Sequence, residues 1–208
     1  MADDDKQRGE GGANWASYYE KLRDRPPRKT ARLALDRLGP EPRGRLAVDL
    51  GCGDGRDAIE MLRRGWRVMA VDAEPVALER LTGRPDLPQD AEIEAVVSRF
   101  ETIDLPRDAL LINSSFALPL CEPGDFRRIV GEIGRRLAPG GWFAAQFYGP
   151  RASWVGRPGM TFETRDEAER LLAALDLELF EEEESDGVTP RGTPKHWHIF
   201  HIAARKPG

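Results

Sequence analysis

Val48-Asp49-Leu50-Gly51-Cys52-Gly53-Asp54-Gly55-Arg56 decides the fold. The apolar run Leu46–Leu50 reads as a buried strand, breaks into three glycines at alternate positions, and gives way at once to a helical pattern. Glycine has no Cβ, so the chain turns sharply there and its backbone can approach a ligand closely. The N–H groups of such a turn, with the start of the next helix, suit a carboxylate or a phosphate. Asp49 stands near the strand tip, placed to accept from an ammonium or a backbone donor. Arg67–Val71 reads as a second buried strand and ends in Asp72, an acid positioned to hold both hydroxyls of a ribose. A nicotinamide-dinucleotide fingerprint is G-x-G-x-x-G. Here the spacing is G-x-G-x-G, and Arg56 stands at the place of the third glycine. A turn that merely reverses the chain has no need of an acid at the end of the very next strand.

The 208 residues suffice for one α/β domain with a sizeable core. Charged residues make up 32% and the net charge is −5, which lacks the basic footprint of a nucleic-acid binder. Cys52 and Cys121 are isolated, and Cys52 lies inside the glycine loop. That usage points to a reducing compartment rather than a disulfide scaffold. No basic start leads into an apolar run, and no apolar run has the length of a bilayer span. A cytoplasmic location is expected, with neither a nucleic-acid nor a membrane partner.

Met1–Ala13 is charged and glycine-rich, and is expected to be a disordered tail. Asn14 caps a short helix with Trp15, Tyr18, Tyr19 and Leu22 on one face. That stripe either packs on the core or forms a lid whose tyrosine hydroxyls reach a ligand. Residues 14–44 as a whole read as an N-terminal helical lid. Pro26-Pro27 interrupts it, and a second helix presents Ala31, Ala34, Leu35 and Leu38 before Gly39-Pro40. Beyond the glycine loop, a helix carrying Ala58, Ile59, Met61 and Leu62 ends at Gly65, which suits a left-handed cap. A helix follows from Pro75 to about Leu81, then strands at Ile93–Val97 and Ala109–Asn113. Asp125–Leu137 has the periodicity of a buried-face helix, and Pro139-Gly140-Gly141 ends it before a strand at Trp142–Tyr148.

The loop Gly149–Phe162 is long enough to be functional. Thr164-x-x-Glu167 is a capping box opening the last helix, with Ala168, Leu171, Leu172 and Leu175 facing inward. Leu177–Glu183 and Lys195–Ala204 are strands joined by the turn-like Asp186–Pro194, which is too short for a parallel crossover. They form an antiparallel hairpin. His196 and His198 share one face of the last strand, and Trp197, Ile199 and His201 the other. No Cys/His/Asp set has metal-ligand spacing, so packed or hydrogen-bonded histidines and no metal are expected. Glu181–Glu184 reads as a solvated run at a strand end; the alternative is an acidic rim that attracts a cationic substrate.

Parallel strands turn their C-terminal ends to the ligand crevice, which places Asn113, Ser114, Ser115 and Phe116 there. The D-x-G-x-G-x-G run from Asp49 resembles motif I of the class I S-adenosylmethionine-dependent methyltransferases. The L-x-P-G-G-x-F turn from Leu137 to Phe143 and the closing hairpin are similar too. The G-C-G-D-G-R-D loop is similar to the tellurite-resistance-type subgroup, and the resemblance extends from Trp15 to Lys206. It implies an α/β, Rossmann-like three-layer sandwich: a seven-stranded, mostly parallel sheet with an antiparallel last strand, in a single domain over residues 14–208.

The resemblance also implies S-adenosylmethionine as cofactor and S-adenosylhomocysteine as its product. Asp49, Gly51, Cys52 and Gly53 would meet the methionyl end, Arg56 and Asp57 its carboxylate, and Asp72 the ribose. Where the family usually places an adenine-binding acid, this chain has Arg99, which leaves the adenine to the ring or backbone N–H of Phe100. Asn113 and Tyr19 complete the expected cofactor set. Tyr18, Phe116, Tyr148, Trp154 and His196 are the expected substrate set, and no catalytic base is assigned. The expected reaction moves a methyl group to a small-molecule nucleophile by in-line displacement. The protein aligns the reactants and excludes water, and a base is needed only if the nucleophile arrives protonated. The alternatives are a regulatory subunit that binds the cofactor without turnover, and a NAD-dependent oxidoreductase.

Overall fold

The computed structural model describes residues 25–40, 44–189 and 192–208. The expected tail, the Asn14 helix and its aromatic stripe, Tyr18 and Tyr19 included, lie outside the described residues. Seven strands form one sheet: β1 (Leu46–Leu50), β2 (Arg67–Asp72), β3 (Ile93–Val97), β4 (Ala109–Ser114), β5 (Leu137–Tyr148), β6 (Asp176–Val188) and β7 (Pro194–Arg205). Their order is β3-β2-β1-β4-β5-β7-β6. The pairs from β3 to β5 are parallel, while β7 runs antiparallel to both β5 and β6. This is the expected Rossmann-like sheet. The chain winds from β1 out to β3, then returns to place β4 on the other side of β1, so the switch point falls between β1 and β4.

Each face of the sheet is covered. Helices α1 (Lys29–Leu38), α2 (Arg56–Arg63) and α3 (Pro75–Thr82) lie on one side. There Leu35, Ile59, Leu62 and Leu81 pack with Leu111, Trp142, Ala144 and Ala203. Helices α4 (Pro123–Arg136) and α5 (Arg165–Leu171) cover the other. Phe126, Ile129, Ile133 and Leu172 pack there with Ile112, Phe143, Phe147 and Phe200. The strand residues alternate between these cores as a twofold side-chain period requires. Each fully buried Leu, Ile or Phe contributes roughly 1.5–3 kcal/mol of apolar transfer. The Thr164 side chain accepts from the Glu167 N–H at 3.3 Å, and Glu167 accepts from the Thr164 N–H at 2.8 Å, so the capping box closes. Thr164→Ala is expected to cost about 1 kcal/mol, a fall of roughly 2–4 °C in a melting experiment.

The largest departures from expectation lie in the C-terminal half. Strand β5 starts at Leu137, not at Trp142. The Pro139-Gly140-Gly141 turn is an irregularity inside the strand: Ala109 pairs with Leu137, Leu111 already pairs with Trp142, and Gly140 takes φ +75°. Lys206 holds it from the β7 side, its N–H donating to the Gly141 carbonyl at 2.8 Å. The closing hairpin is longer than expected. Pairing continues through Asp186–His196 and Gly187–Lys195 to Val188–Pro194, which shortens the turn. Consequently Glu181–Glu184 is not a strand end but the middle of β6, and its carboxylates face partners on neighbouring elements.

Candidate active site

The elbow after β1 is built from backbone. Gly51 and Cys52 N–H both donate to the Val71 carbonyl, at 2.8 and 2.9 Å, which ties the loop to the end of β2. Gly51, Gly53 and Gly55 all have positive φ, at +69°, +56° and +87°. A Cβ on Gly51 would overlap that of Ala117 and come within 3.4 Å of the Phe100 ring; one on Gly55 would overlap Leu81. Asp72 stands at the end of β2, where Oδ2 accepts from Gly53 N–H and Oδ1 from Glu74 N–H, both at 2.9 Å. Each oxygen keeps acceptor capacity beyond these bonds.

Asp49 and Asn113 face each other across the β1–β4 register. Asn113 Nδ2 donates to Asp49 Oδ1 at 2.7 Å and also lies 3.3 Å from Asp57 Oδ2. Asp57 in turn accepts from Arg28 N–H at 2.7 Å. Asp49 is 2% exposed, and its Oδ2 has no hydrogen-bond partner among the described residues. Burial, reinforced by the neighbouring Asp57 charge, pushes the Asp49 carboxyl up to about 8. Burial also pushes the Cys52 thiol well above its usual range, which leaves it inert as a nucleophile.

Beside this cluster lies a cavity of about 630 Å³, lined by Arg28, Arg56, Phe116, Gln146, His201 and the glutamates of β6. Phe116 reaches it from a left-handed backbone, φ +60°, and its ring carries the Arg28 guanidinium 4.4 Å above its centre. The Phe116 centroid lies 6.3 Å from those of Tyr148 and His201. From Tyr148 the aromatic wall continues to Trp154 and Trp197. Buried Lys195 puts Nζ 2.8 Å from the Trp154 centroid and 3.6 Å from that of Trp197, without a hydrogen-bond partner among the described residues. Burial pulls its ammonium down to about 7, while the ring faces favour its charged form. This cation helps hold the Gly149–Phe162 loop against the sheet. A second groove, of about 440 Å³, is lined by Arg37, Arg45, Trp142 and Arg205, around the opposite ends of the strands from the elbow.

Of the residues singled out in the sequence, Asp49, Gly51, Cys52, Gly53, Asp57, Asp72, Asn113 and Phe100 come together around the elbow. Arg56 turns its Nε to the Pro26 carbonyl and lines the adjoining cavity, as does Phe116. Phe116 in turn brings Tyr148 and Trp154 into the same aromatic wall. Arg99 stays at the surface, paired with Glu101. His196 sits on the other face of β7, held by Asp186 and Glu184 and raised above its usual pKa by those bonds.

Sequence reasoning missed His201 and Gln146, and reached Glu183 only within the alternative of an acidic rim. Alternation had already put His201 opposite His196, but its partners emerge only from the register. Glu182 and Glu184 are drawn to Arg151, and hydrogen bonds from His198 and Arg151 respectively pull each down to about 2. Among the described residues no group of three or more His, Cys, Asp or Glu side chains could hold a metal, and no helix is long and apolar enough to cross a membrane.

Residues 47–141 match the methyltransferase domain family. An uncharacterised methyltransferase of Synechocystis is 30% identical over 129 residues, covering 61% of this chain and 57% of that protein. The chain thus spans little more than half the length of this curated relative. TehB from Haemophilus influenzae has the same fold, with a TM-score of 0.75 at 14% identity over 91% of this chain and 65% of that one. So has a Burkholderia thailandensis 1,6-didemethyltoxoflavin-N1-methyltransferase, solved with its acceptor and S-adenosylhomocysteine. Its TM-score is 0.61 at 22% identity, over 94% of this chain and 86% of that one. The elbow, Asp72 and Asn113 all lie inside the segment that matches the methyltransferase domain family, and the fold is the one shared with these S-adenosylmethionine-dependent methyltransferases.

Proposed function

We propose that the chain transfers the methyl group of S-adenosylmethionine to a small-molecule acceptor. One observation carries the reading. At the switch point a buried carboxylate, Asp49, keeps one oxygen unpartnered beside a three-glycine elbow that is tied to a second carboxylate, Asp72. A buried acceptor left unsatisfied costs about 1–3 kcal/mol, so the site is built for a donor from outside the chain. The aminoacyl end of the cofactor has such a donor in its ammonium. Asp49 and the backbone of Gly51–Gly53 would hold that end, Asn113 would steady Asp49, and Asp72 would accept from the ribose hydroxyls. Phe100, its ring beside Gly51, would line the adenine.

The cofactor supplies a methyl group on a cationic sulfur, open to in-line displacement. The chain aligns the two reactants and keeps water away. Phe116, Tyr148 and Trp154 would form the wall of the acceptor crevice. In the Burkholderia neighbour the same fold holds 1,6-didemethyltoxoflavin, which supports a small-molecule acceptor here.

Calorimetry with S-adenosylmethionine, S-adenosylhomocysteine and NAD tests the reading. Binding of the first two is expected, and tight NAD binding without them overturns it. Asp72→Ala is expected to weaken cofactor binding at least tenfold, about 1.4 kcal/mol. An unchanged affinity removes the ribose role.

A further inference from the structure

Two side chains in the crevice beside the elbow are prepared for a partner that no described residue supplies. Gln146 is 1% exposed and lines the cavity. Its Nε2 donates to Thr30 Oγ1 at 2.8 Å, and its Oε1 has no partner among the described residues. If the amide is turned over, one arm still holds Thr30 and the other still lacks a partner. His201 stands directly across the β5–β7 register from Gln146, on the same face of the sheet. Its Nε2 pairs with Glu183 Oε2 at 2.9 Å. With the Nε2 proton donated to Glu183, Nδ1 keeps its lone pair and makes no hydrogen bond with any described residue.

The charges around them are unequal. Glu181 is held by Lys29, and Glu182 and Glu184 by Arg151 on the other face of β6. Among the described residues Glu183 bonds His201 and Ser185 alone. It is therefore the carboxylate of the crevice that no lysine or arginine among the described residues neutralises. Arg28 is placed over the Phe116 ring, and Arg56 bonds the Pro26 carbonyl. Arg28 and Arg56 bring positive charge to the same cavity, so the selectivity rests on local geometry: Gln146 Oε1 and His201 Nδ1 are adjacent acceptors beside the Glu183 carboxylate, and an acceptor rich in N–H complements all three.

We propose that the methyl acceptor is an amine, held by an N–H bond to Gln146 Oε1, and that His201, oriented by Glu183, is the base that takes its proton. This rests on the methyl-transfer reading and names its acceptor. The amine enters as an ammonium and gives one proton to His201 Nδ1, and the imidazolium is stabilised by Glu183. The freed nitrogen lone pair forms the new N–C bond as the C–S bond of the sulfonium breaks. A methylammonium and the neutral thioether product leave, and His201 returns its proton to water.

The test uses the full chain saturated with S-adenosylhomocysteine. Phenethylamine, 2-phenylethanol and 3-phenylpropanoate are titrated by calorimetry, followed by a panel of primary and secondary amines. Amines are expected to bind at least tenfold more tightly than the matched alcohol and carboxylate. Glu183→Gln and Gln146→Leu are each expected to weaken the amine at least fivefold while S-adenosylhomocysteine affinity stays within twofold. Nitrogen-15 spectra of the His201 ring are expected to move at Nδ1 and not at Nε2 when the tightest-binding amine is added. Equal or tighter binding of the carboxylate, or an unmoved Nδ1 signal, overturns the proposal. Failure to bind S-adenosylhomocysteine at all overturns the methyl-transfer reading instead. With the tightest-binding amine as acceptor, His201→Gln is expected to lower kcat at least twentyfold with KM within threefold. Parent-like turnover in that variant sinks the base.

Discussion

Gly51→Ala is expected to destabilise the protein by about 2–5 kcal/mol: about 1–2 for a side chain in the left-handed region and about 1–3 for overpacking. The backbone there has φ +69°, and the new Cβ overlaps Ala117, whose neighbour Phe116 sits in a left-handed conformation of its own. Neither strand can yield easily, because Gly51 N–H is held by Val71 and the Leu50 carbonyl by Ser114 Oγ at 2.9 Å. The melting temperature should fall by roughly 5–15 °C. S-adenosylmethionine affinity should fall at least thirtyfold, about 2 kcal/mol, if the displaced turn holds the cofactor as proposed. Gly124→Ala is the control: its site in α4 has nothing within 4 Å of the added Cβ, and stability there should hold or rise slightly. A Gly51→Ala protein that melts and binds like its parent means the elbow is not tightly closed.

The second large effect is on pH dependence. The folded-state pKa of Asp49 is raised from 3.8 to about 8, chiefly by burial and then by Asp57, with Asp72 adding to it and the Asn113 bond opposing it. Between those two values the folded protein holds more protons than the unfolded chain. The ligand-free protein therefore loses stability as pH rises from about 4 to about 8. Binding of a cationic cofactor has the opposite slope, because it is the ionised carboxylate that accepts the ammonium. Cofactor affinity should rise close to tenfold per pH unit well below 8, roughly fiftyfold between pH 6 and pH 8. Asp49→Asn should flatten the slope, bind more weakly than the parent at pH 8, and melt at a higher temperature there when ligand-free. The cofactor's own α-amino group titrates near pH 8, but it does so equally with both proteins, so the difference between the two curves isolates Asp49. Parallel curves would falsify the assignment of Asp49 to the ammonium.

The contrast between these sites explains how much could be read in advance. Gly51, Gly53, Gly55 and Asp72 act through local rules: a strand, a turn that needs positive φ, and an acid at the next strand tip. Each rule works within a few residues, and the sequence carries it openly. The same holds for the Thr164 capping box and for the burial pattern of the helices. Glu181–Glu184 illustrates the opposite case. Four successive acids look solvated in one dimension, yet the hairpin extends through Asp186–His196 and sets each of them beside a base or histidine from another element. Pro139-Gly140-Gly141 likewise has the composition of a helix stop, but pairing with β4 and Lys206 draws it into β5 as an irregularity.

The sequence by itself determined the architecture, the glycine elbow and the acid that answers it, because backbone conformation and side-chain period are properties of neighbouring residues. Only the tertiary structure decided that Gln146, Glu183 and His201 share one crevice and that Asp49 lies buried with an oxygen unpartnered. Periodicity assigns a residue to a face of a strand. Which residue stands opposite it follows from register, and how much water is excluded follows from packing across the whole sheet; neither is a local property of the chain.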